Sequence, residues 1–402
     1  MLDLTRLVSR AGKMPTGVDR VERAYLRHLL LLSEPVFGVI RTTLGFVLLD
    51  RAGLVALSDR FDGNTPWGAP DFWSRLARSK SRTVRCAESD LRRLALDRCR
   101  PRALIRMLAR HLPDATAYLN VGHSNLTERM LTAVRKGVDG TIAVMIHDTI
   151  PLDLPQFQRP GTPERFAGML RRVCQHADLV IYNSADTQRA AERHMSATDT
   201  PPTGVVAHLG VPVPQSVPGD IPAGLDLSQP YFVTVGTIEP RKRHDLLLDV
   251  WQDMEGSRSP SDMPGLLICG ARGWNNDAVF RRLDALPSNG SIRELPGLSD
   301  GAVAALVQGS CGLLFPSVAE GYGLPPIEAS AIGVPVICHD LPVYREILSD
   351  IPVYAGETDR YQWRNIVESL IKGRIQENKA VSEQMFTPPT WDEHFNTVLR
   401  LT

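Results

Sequence analysis

Short apolar runs alternate with amphipathic stretches along most of the chain. Residues 115–121 (ATAYLNV), 141–146 (TIAVMI) and 178–182 (DLVIY) are strand-length runs followed by turn or polar residues. Residues 126–136 and 164–176 carry helical spacing between them, the second with Arg165, Arg171 and Arg172 on its outer positions. The second half repeats the layout with 231–235 (YFVTV), 265–269 (GLLIC), 291–294, 312–315 (GLLF) and 335–338 (PVIC), each followed by a segment that reads as a helix. Such alternation predicts parallel sheets covered by helices. The proline-rich stretch 211–230, without helical periodicity, reads as a linker between domains 1–212 and 213–385. Two doubly wound domains leave a cleft between them, and ligands of such sheets bind at the carboxyl ends of the strands.

At 43% hydrophobic residues over 402 positions the chain has enough apolar surface for two or three folded domains, and disorder is excluded as its main state. No apolar run approaches the length of a membrane span, and Asp3 and Arg6 interrupt the first apolar turn, so a cytoplasmic location is expected. Six scattered cysteines without a C-x-x-C spacing argue against structural zinc and a disulfide framework. The formal net charge of zero hides an asymmetry: 30 Lys+Arg against 21 Asp+Glu in residues 1–212, and 15 against 24 in the remainder. Residues 60–110 alone hold thirteen cations, Arg78 among them, against five carboxylates. That region is a candidate for an anionic membrane surface or a lipid-linked phosphate. Nucleic acid is not expected, because no aromatic residue interleaves the arginines after Trp73.

Chemistry concentrates at three predicted strand ends. In 315–328 (FPSVAEGYGLPPIE), Glu320 follows the strand GLLF, Gly321 and Gly323 flank Tyr322, and Pro325-Pro326 suit the first turn of a helix. The amides of Gly323 and Leu324 would then face the cleft, where they attract a phosphate or a developing oxyanion. Glu328, one turn on, would return to the same edge to accept from paired ribose hydroxyls. In YFVTVGTIEPRKR, Arg241 and Lys242 follow a strand and can neutralise a diphosphate leaving group. In the first half, Gly17 of PTGVDR offers close backbone approach to a phosphate. Asn120 and His123 (YLNVGHSN) and His147-Asp148 follow two further strands and are expected to face the cleft. A histidine there would bind a sugar hydroxyl or act in acid/base chemistry.

These segments resemble the group 1 glycosyltransferases (glycosyltransferase family 4), retaining nucleotide-sugar enzymes of the two-Rossmann-domain GT-B architecture. The resemblance runs over most of 115–402, carried by VGTIEPRKR, PSVAEGYGLPPIEASAIGVPVI and YREIL; TGVDRVE and YLNVGHSNL look like a subgroup of bacterial polysaccharide transferases. It implies an acceptor-binding first domain, a donor-binding second domain, and a terminal segment 386–402 crossing back to the first. By the same resemblance Glu320 contacts the donor hexose, Glu328 the ribose, Arg241 and Lys242 the diphosphate, Gly17 the phosphates and His147 the transferred sugar. Asn120, His123 and Asp148, from their strand-end positions, are expected on the acceptor side or in a secondary role. The implied reaction is hexosyl transfer with retention, through electrostatic stabilisation of the leaving diphosphate. The nucleotide sugar is a co-substrate, with neither cofactor nor metal expected and no D-x-D triplet at a strand end. The form TIEPRK leans toward mannose from GDP-mannose, and the acceptor is expected to be a saccharide or lipid-linked saccharide of a bacterial surface polysaccharide. Residues 36–110 depart from the resemblance by lacking its clean strand pattern.

Other readings stay open on sequence alone: a UDP-sugar transferase, a sugar-nucleotide epimerase or phosphorylase of similar fold, or a non-catalytic protein that binds nucleotide sugars. A nicotinamide oxidoreductase is disfavoured, since no G-x-G-x-x-G follows an early strand.

Overall fold

The computed structural model describes residues 1–77, 79–197, 200–259, 262–287, 289–376 and 386–402; Arg78 and the boundary expected at residue 385 lie outside them. The first sheet holds β1 (Leu2–Asp3), β2 (Gly38–Thr42), β3 (Gly45–Leu49), β4 (Asp97–Cys99), β5 (Tyr118–Asn120), β6 (Ile142–Ile146), β7 (Leu179–Tyr182) and β8 (Thr203–Val206), in the order β4-β3-β2-β1-β5-β6-β7-β8. The second holds β9 (Tyr231–Val235), β10 (Gly265–Cys269), β11 (Ile292–Glu294), β12 (Leu313–Phe315), β13 (Val336–His339) and β14 (Val353–Ala355), ordered β11-β10-β9-β12-β13-β14 and parallel throughout. Helices cover both faces, which is why all five positions of β6 are buried and its sequence is an unbroken apolar run.

The first sheet differs from expectation at one edge. β2 and β3 form an antiparallel hairpin, and β4 pairs antiparallel with β3. Only two residues join β2 to β3, a connection too short for a parallel crossover. Gly45 opens β3 at φ 129°, and a side chain there would run into the carbonyl of Cys99 on β4. All five positions of β3 are buried, so the segment shows none of the alternation that marks a half-exposed hairpin.

The winding direction changes between β1 and β5 in one sheet and between β9 and β12 in the other. Such switch points open a crevice beyond the strands' carboxyl ends. The helix Gly17–Leu31 lies beside the first of them. Thr16 and Asp19 form its capping box, and Val21, Tyr25, Leu26 and Leu29 turn inward. The last helix, Trp391–Val398, packs on it: the Tyr25 hydroxyl meets Nε2 of His394 at 2.7 Å, and Phe395 stacks on His28 with ring centroids 3.7 Å apart. The chain's end is therefore sewn to its first domain. Part of 211–230 also packs, with Val217 N–H donating to Gly301 O at 3.0 Å.

Candidate active site

β12 ends at Phe315, and the following loop delivers Glu320 before the helix Leu324–Ala331 begins. Gly323 caps that helix at φ 84°, a left-handed conformation that glycine adopts without strain. Pro325 and Pro326 sit in its first turn, as the sequence predicts. From the neighbouring strand β9, the helical turn Pro240–Lys242 brings up two cations. Arg241 Nη1 donates to Glu320 Oε1 at 2.7 Å, and Lys242 Nζ donates to the same oxygen at 2.5 Å. Arg241 Nη2 also lies 2.7 Å from Glu239 Oε1, while Lys242 Nζ stands 4.3 Å from the centre of the Phe315 ring.

Burial disfavours every charge in this cluster, and pairing decides each balance. Burial pushes the Glu320 carboxyl up, but Arg241 and Lys242 together outweigh it and hold the group below the ordinary carboxylate value. Burial lowers the Lys242 ammonium, with Glu320 opposing. It raises the carboxyls of Glu239 and Asp148, with Arg241 opposing in both. The Glu320 side chain is only 9% exposed and turned onto the two cations. Two buried cations side by side need a counter-charge, and Glu320 supplies it.

The first domain closes directly over this loop. A Cβ on Gly321 would strike the backbone oxygen of His147 and come within 2.9 Å of Asp148 Cβ, so no larger residue is compatible with this approach. Thr187 Oγ1 donates to Gly321 O at 3.2 Å, and the Tyr322 hydroxyl donates to Leu209 O at 2.9 Å. Gly17 is the first residue of its helix, and a Cβ there would lie 3.3 Å from Leu324 Cδ1. Two helix N-termini, at Gly17 and Leu324, thus meet across the cleft, each favouring negative charge.

Glu328 is not free in this arrangement. Arg20 Nη1 donates to its Oε1 at 2.7 Å, and Arg20 Nη2 donates to Asp300 Oδ1 at 2.7 Å. The sequence reading contains Arg20 within PTGVDR but gives it no role. Its one signal is position, one residue beyond the capping box. Glu346 was missed likewise: its carboxylate accepts from the amides of Ala185 and Asp186 at 2.7 and 3.1 Å and from His208 Nε2 at 2.9 Å, joining YREIL to the first domain.

The histidines are placed more as acceptors than as acids. His147 Nε2 lies 2.7 Å from Val121 O, and His123 Nε2 lies 2.8 Å from Met145 O. A carbonyl only accepts, so in each ring Nε2 carries the hydrogen and the neutral ring's Nδ1 is an acceptor. Burial pushes their pKa values down to about 3 and about 4. His147 is thus a neutral imidazole, unsuited to giving up a proton at neutral pH. Asn120 is buried, its amide donating to the Tyr118 hydroxyl at 2.9 Å and to Ser124 O at 2.7 Å. Tyr118 and Asn125 in turn donate to Asp3, and this buried network fixes the end of β5.

The basic region is partly neutralised within itself. Arg60 and Arg93 bond Asp90, Arg92 bonds Asp71 through two nitrogens, and Lys80 bonds Glu88. Arg98, Arg100, Arg102, Arg106 and Arg110 remain exposed. Among the described residues no three His, Cys, Asp or Glu side chains converge as a metal site, and no helix is long and apolar enough to cross a membrane.

Residues 222–383 match the family model for glycosyl transferases group 1. The serotype-specific mannosyltransferase WbdA of Escherichia coli is 33% identical over 228 residues, covering 53% of this chain and 28% of the relative. The O-antigen chain mannosyltransferase B of Escherichia coli is 34% identical over 134 residues, covering 33% of this chain and 34% of the relative. The chain thus spans about a third or less of the length of these two relatives. Among solved structures, Anabaena HepE in complex with UDP-glucose superposes with a TM-score of 0.57 at 15% identity, covering 75% of this chain and 81% of that one, which speaks to the fold. The architecture is GT-B, and its second domain is similar to the group 1 glycosyltransferases over residues 222–383.

Proposed function

We propose that the chain transfers mannose from GDP-mannose to a saccharide or lipid-linked saccharide acceptor, with retention at the anomeric carbon, as a step in building a bacterial surface polysaccharide. The observation that carries this reading is the shared oxygen of Glu320. One carboxylate neutralises Arg241 and Lys242 at the switch point between β9 and β12, beside the helix end at Leu324. A donor diphosphate entering there supplies the negative charge that Glu320 supplies in its absence. Arg241, Lys242 and the Gly323–Leu324 amides then hold the leaving group, and Glu320 is released toward the hexose. The C1–diphosphate bond breaks, an acceptor oxygen bonds C1, and the acceptor's proton passes to the departing phosphate oxygen. Positive charge developing on the ring is stabilised by Glu320, a preorganised charge in a water-poor site. Glu328 accepts from the ribose hydroxyls, and the neutral His147 accepts from a hydroxyl of the transferred sugar. Gly17 leaves room for the phosphates at the N-terminus of its helix. No cofactor or metal is needed for this chemistry. The mannose assignment draws on the mannosyltransferase relatives.

The test is a pair of variants. Glu320→Ala is expected to abolish transfer while GDP affinity stays level or tightens a few-fold, since the cations lose their internal competitor. Lys242→Ala is expected to weaken both. Near-normal turnover by Glu320→Ala would remove Glu320 from the chemistry.

A further inference from the structure

We infer that Arg20 is a positioning residue for Glu328, through which the first domain controls how the second recognises the donor ribose. The inference rests on the ribose role of Glu328 proposed above.

Arg20 comes from one domain and both of its partners from the other. Its fork splits, one arm to Glu328 and one to Asp300, each at 2.7 Å, across 308 and 280 residues of sequence. A planar guanidinium anchored at two points fixes the orientation of both carboxylates in a way that an ammonium cannot. Arg20 is itself rigidly based. The helix start that carries it is held by the Thr16–Asp19 capping box, and Asp19 is gripped by Arg6 Nε at 3.1 Å and Arg10 Nε at 2.7 Å. The pairing takes up one oxygen of Glu328 and leaves the other for two neighbouring hydroxyls, within the capacity of an ionised carboxylate.

The charged groups facing Glu328 are Arg20 and Asp300. Without Arg20 the half-buried carboxylate would keep only a like charge beside it, a setting that favours its protonated, poorly accepting form. Arg20 reaches Glu328 only when the two domains are together, so closure itself completes the ribose-holding group. Arg20 touches no reacting atom in this account; it acts through Glu328.

The experiment is calorimetric binding of GDP, UDP and the 2′,3′-dideoxy analogue of whichever diphosphate binds, to wild type, Arg20→Gln, Arg20→Lys and Glu328→Gln, at about pH 7.5 and about pH 5.5. Arg20→Gln is expected to weaken the ribonucleotide about 10-fold, the scale of one lost charge-assisted hydrogen bond. The loss should deepen at the lower pH, and the preference over the dideoxy analogue should shrink as it does in Glu328→Gln. Arg20→Lys should restore the wild-type pH profile, though with weaker affinity. Arg20→Gln binding like wild type at both pH values, or losing affinity equally for both nucleotides with an unchanged profile, overturns the inference. A wild-type chain that binds neither diphosphate, or a Glu328→Gln variant that keeps the ribose preference, overturns the underlying reading of the site instead.

Discussion

Arg241 and Lys242 lie 79 and 78 residues from Glu320 in sequence, yet they donate to a single carboxylate oxygen. Each was legible as a strand-end residue, because a strand, a turn and a helix start leave local marks. That they pair with each other was not, because no local pattern reports which loops of a parallel sheet lie side by side. Asn120 shows the opposite limit. Its place at a strand end is real, but the sequence does not say that Tyr118 and Ser124 claim its amide. The histidines carry a consequence for stability. His123 and His394 are pushed down to about 4 and His147 and His244 to about 3, all chiefly by burial, against an ordinary 6.5. In the folded chain they stay neutral where the unfolded chain protonates, so unfolding takes up protons below pH 6.5 and stability rises with pH. Each contributes up to about 1.4 kcal/mol per pH unit, lost as pH falls from 6.5 toward the folded values. Calorimetry should show the unfolding temperature dropping on the order of 10 °C between about pH 7 and about pH 5. A flat profile over that window would show that these rings are solvated.

At the scale of elements, the five strands expected in the second half, β9 to β13, fall within a residue of the apolar runs, because a strand buried on both faces is an uninterrupted apolar run, whereas the three-residue β14 is not among the expected strands. The antiparallel edge β2-β3-β4 was less legible, since its strands are also buried and their partners are set by a two-residue connection. The helix Leu104–His111 gives the basic region a definite face. Arg102, Arg106 and Arg110 recur at four-residue intervals at and along it, with Ile105 exposed beside them. Phe72 and Trp73, 67% and 58% exposed, lie on the short helix Phe72–Leu76, which packs with Arg82–Leu94 on the other face of the sheet. We propose the face carrying Arg102, Arg106 and Arg110 as the contact with an anionic membrane. Co-sedimentation with phosphatidylglycerol-containing vesicles should be strong at low salt and fall as salt rises, with Arg102, Arg106 and Arg110 changed together to Gln releasing the protein. Binding that ignores salt, or persists in the triple variant, counts against this face.

Across the whole molecule, the domains are joined by the hydrophobic packing of Trp391–Val398 on Gly17–Leu31 and by polar contacts at several points around the cleft. Arg20 reaches Glu328, Glu346 caps the helix Ala185–Ser196, and Trp274 Nε1 donates to Phe157 O at 2.9 Å. The cleft is therefore closed, with the second domain's Gly-rich loop seated on His147 and Asp148. The cleft itself was foreseeable from two doubly wound domains. The contacts that close it were not, since each joins residues whose local sequence serves its own domain. The most direct measurement is a binding and turnover screen of GDP-mannose, UDP-glucose, UDP-N-acetylglucosamine, UDP-galactose and dTDP-rhamnose without added metal. The account predicts that GDP-mannose binds and is slowly hydrolysed or transferred, and that Glu320→Ala abolishes the turnover without abolishing the binding. Binding of none of the five, or turnover untouched by the loss of Glu320, would contradict it.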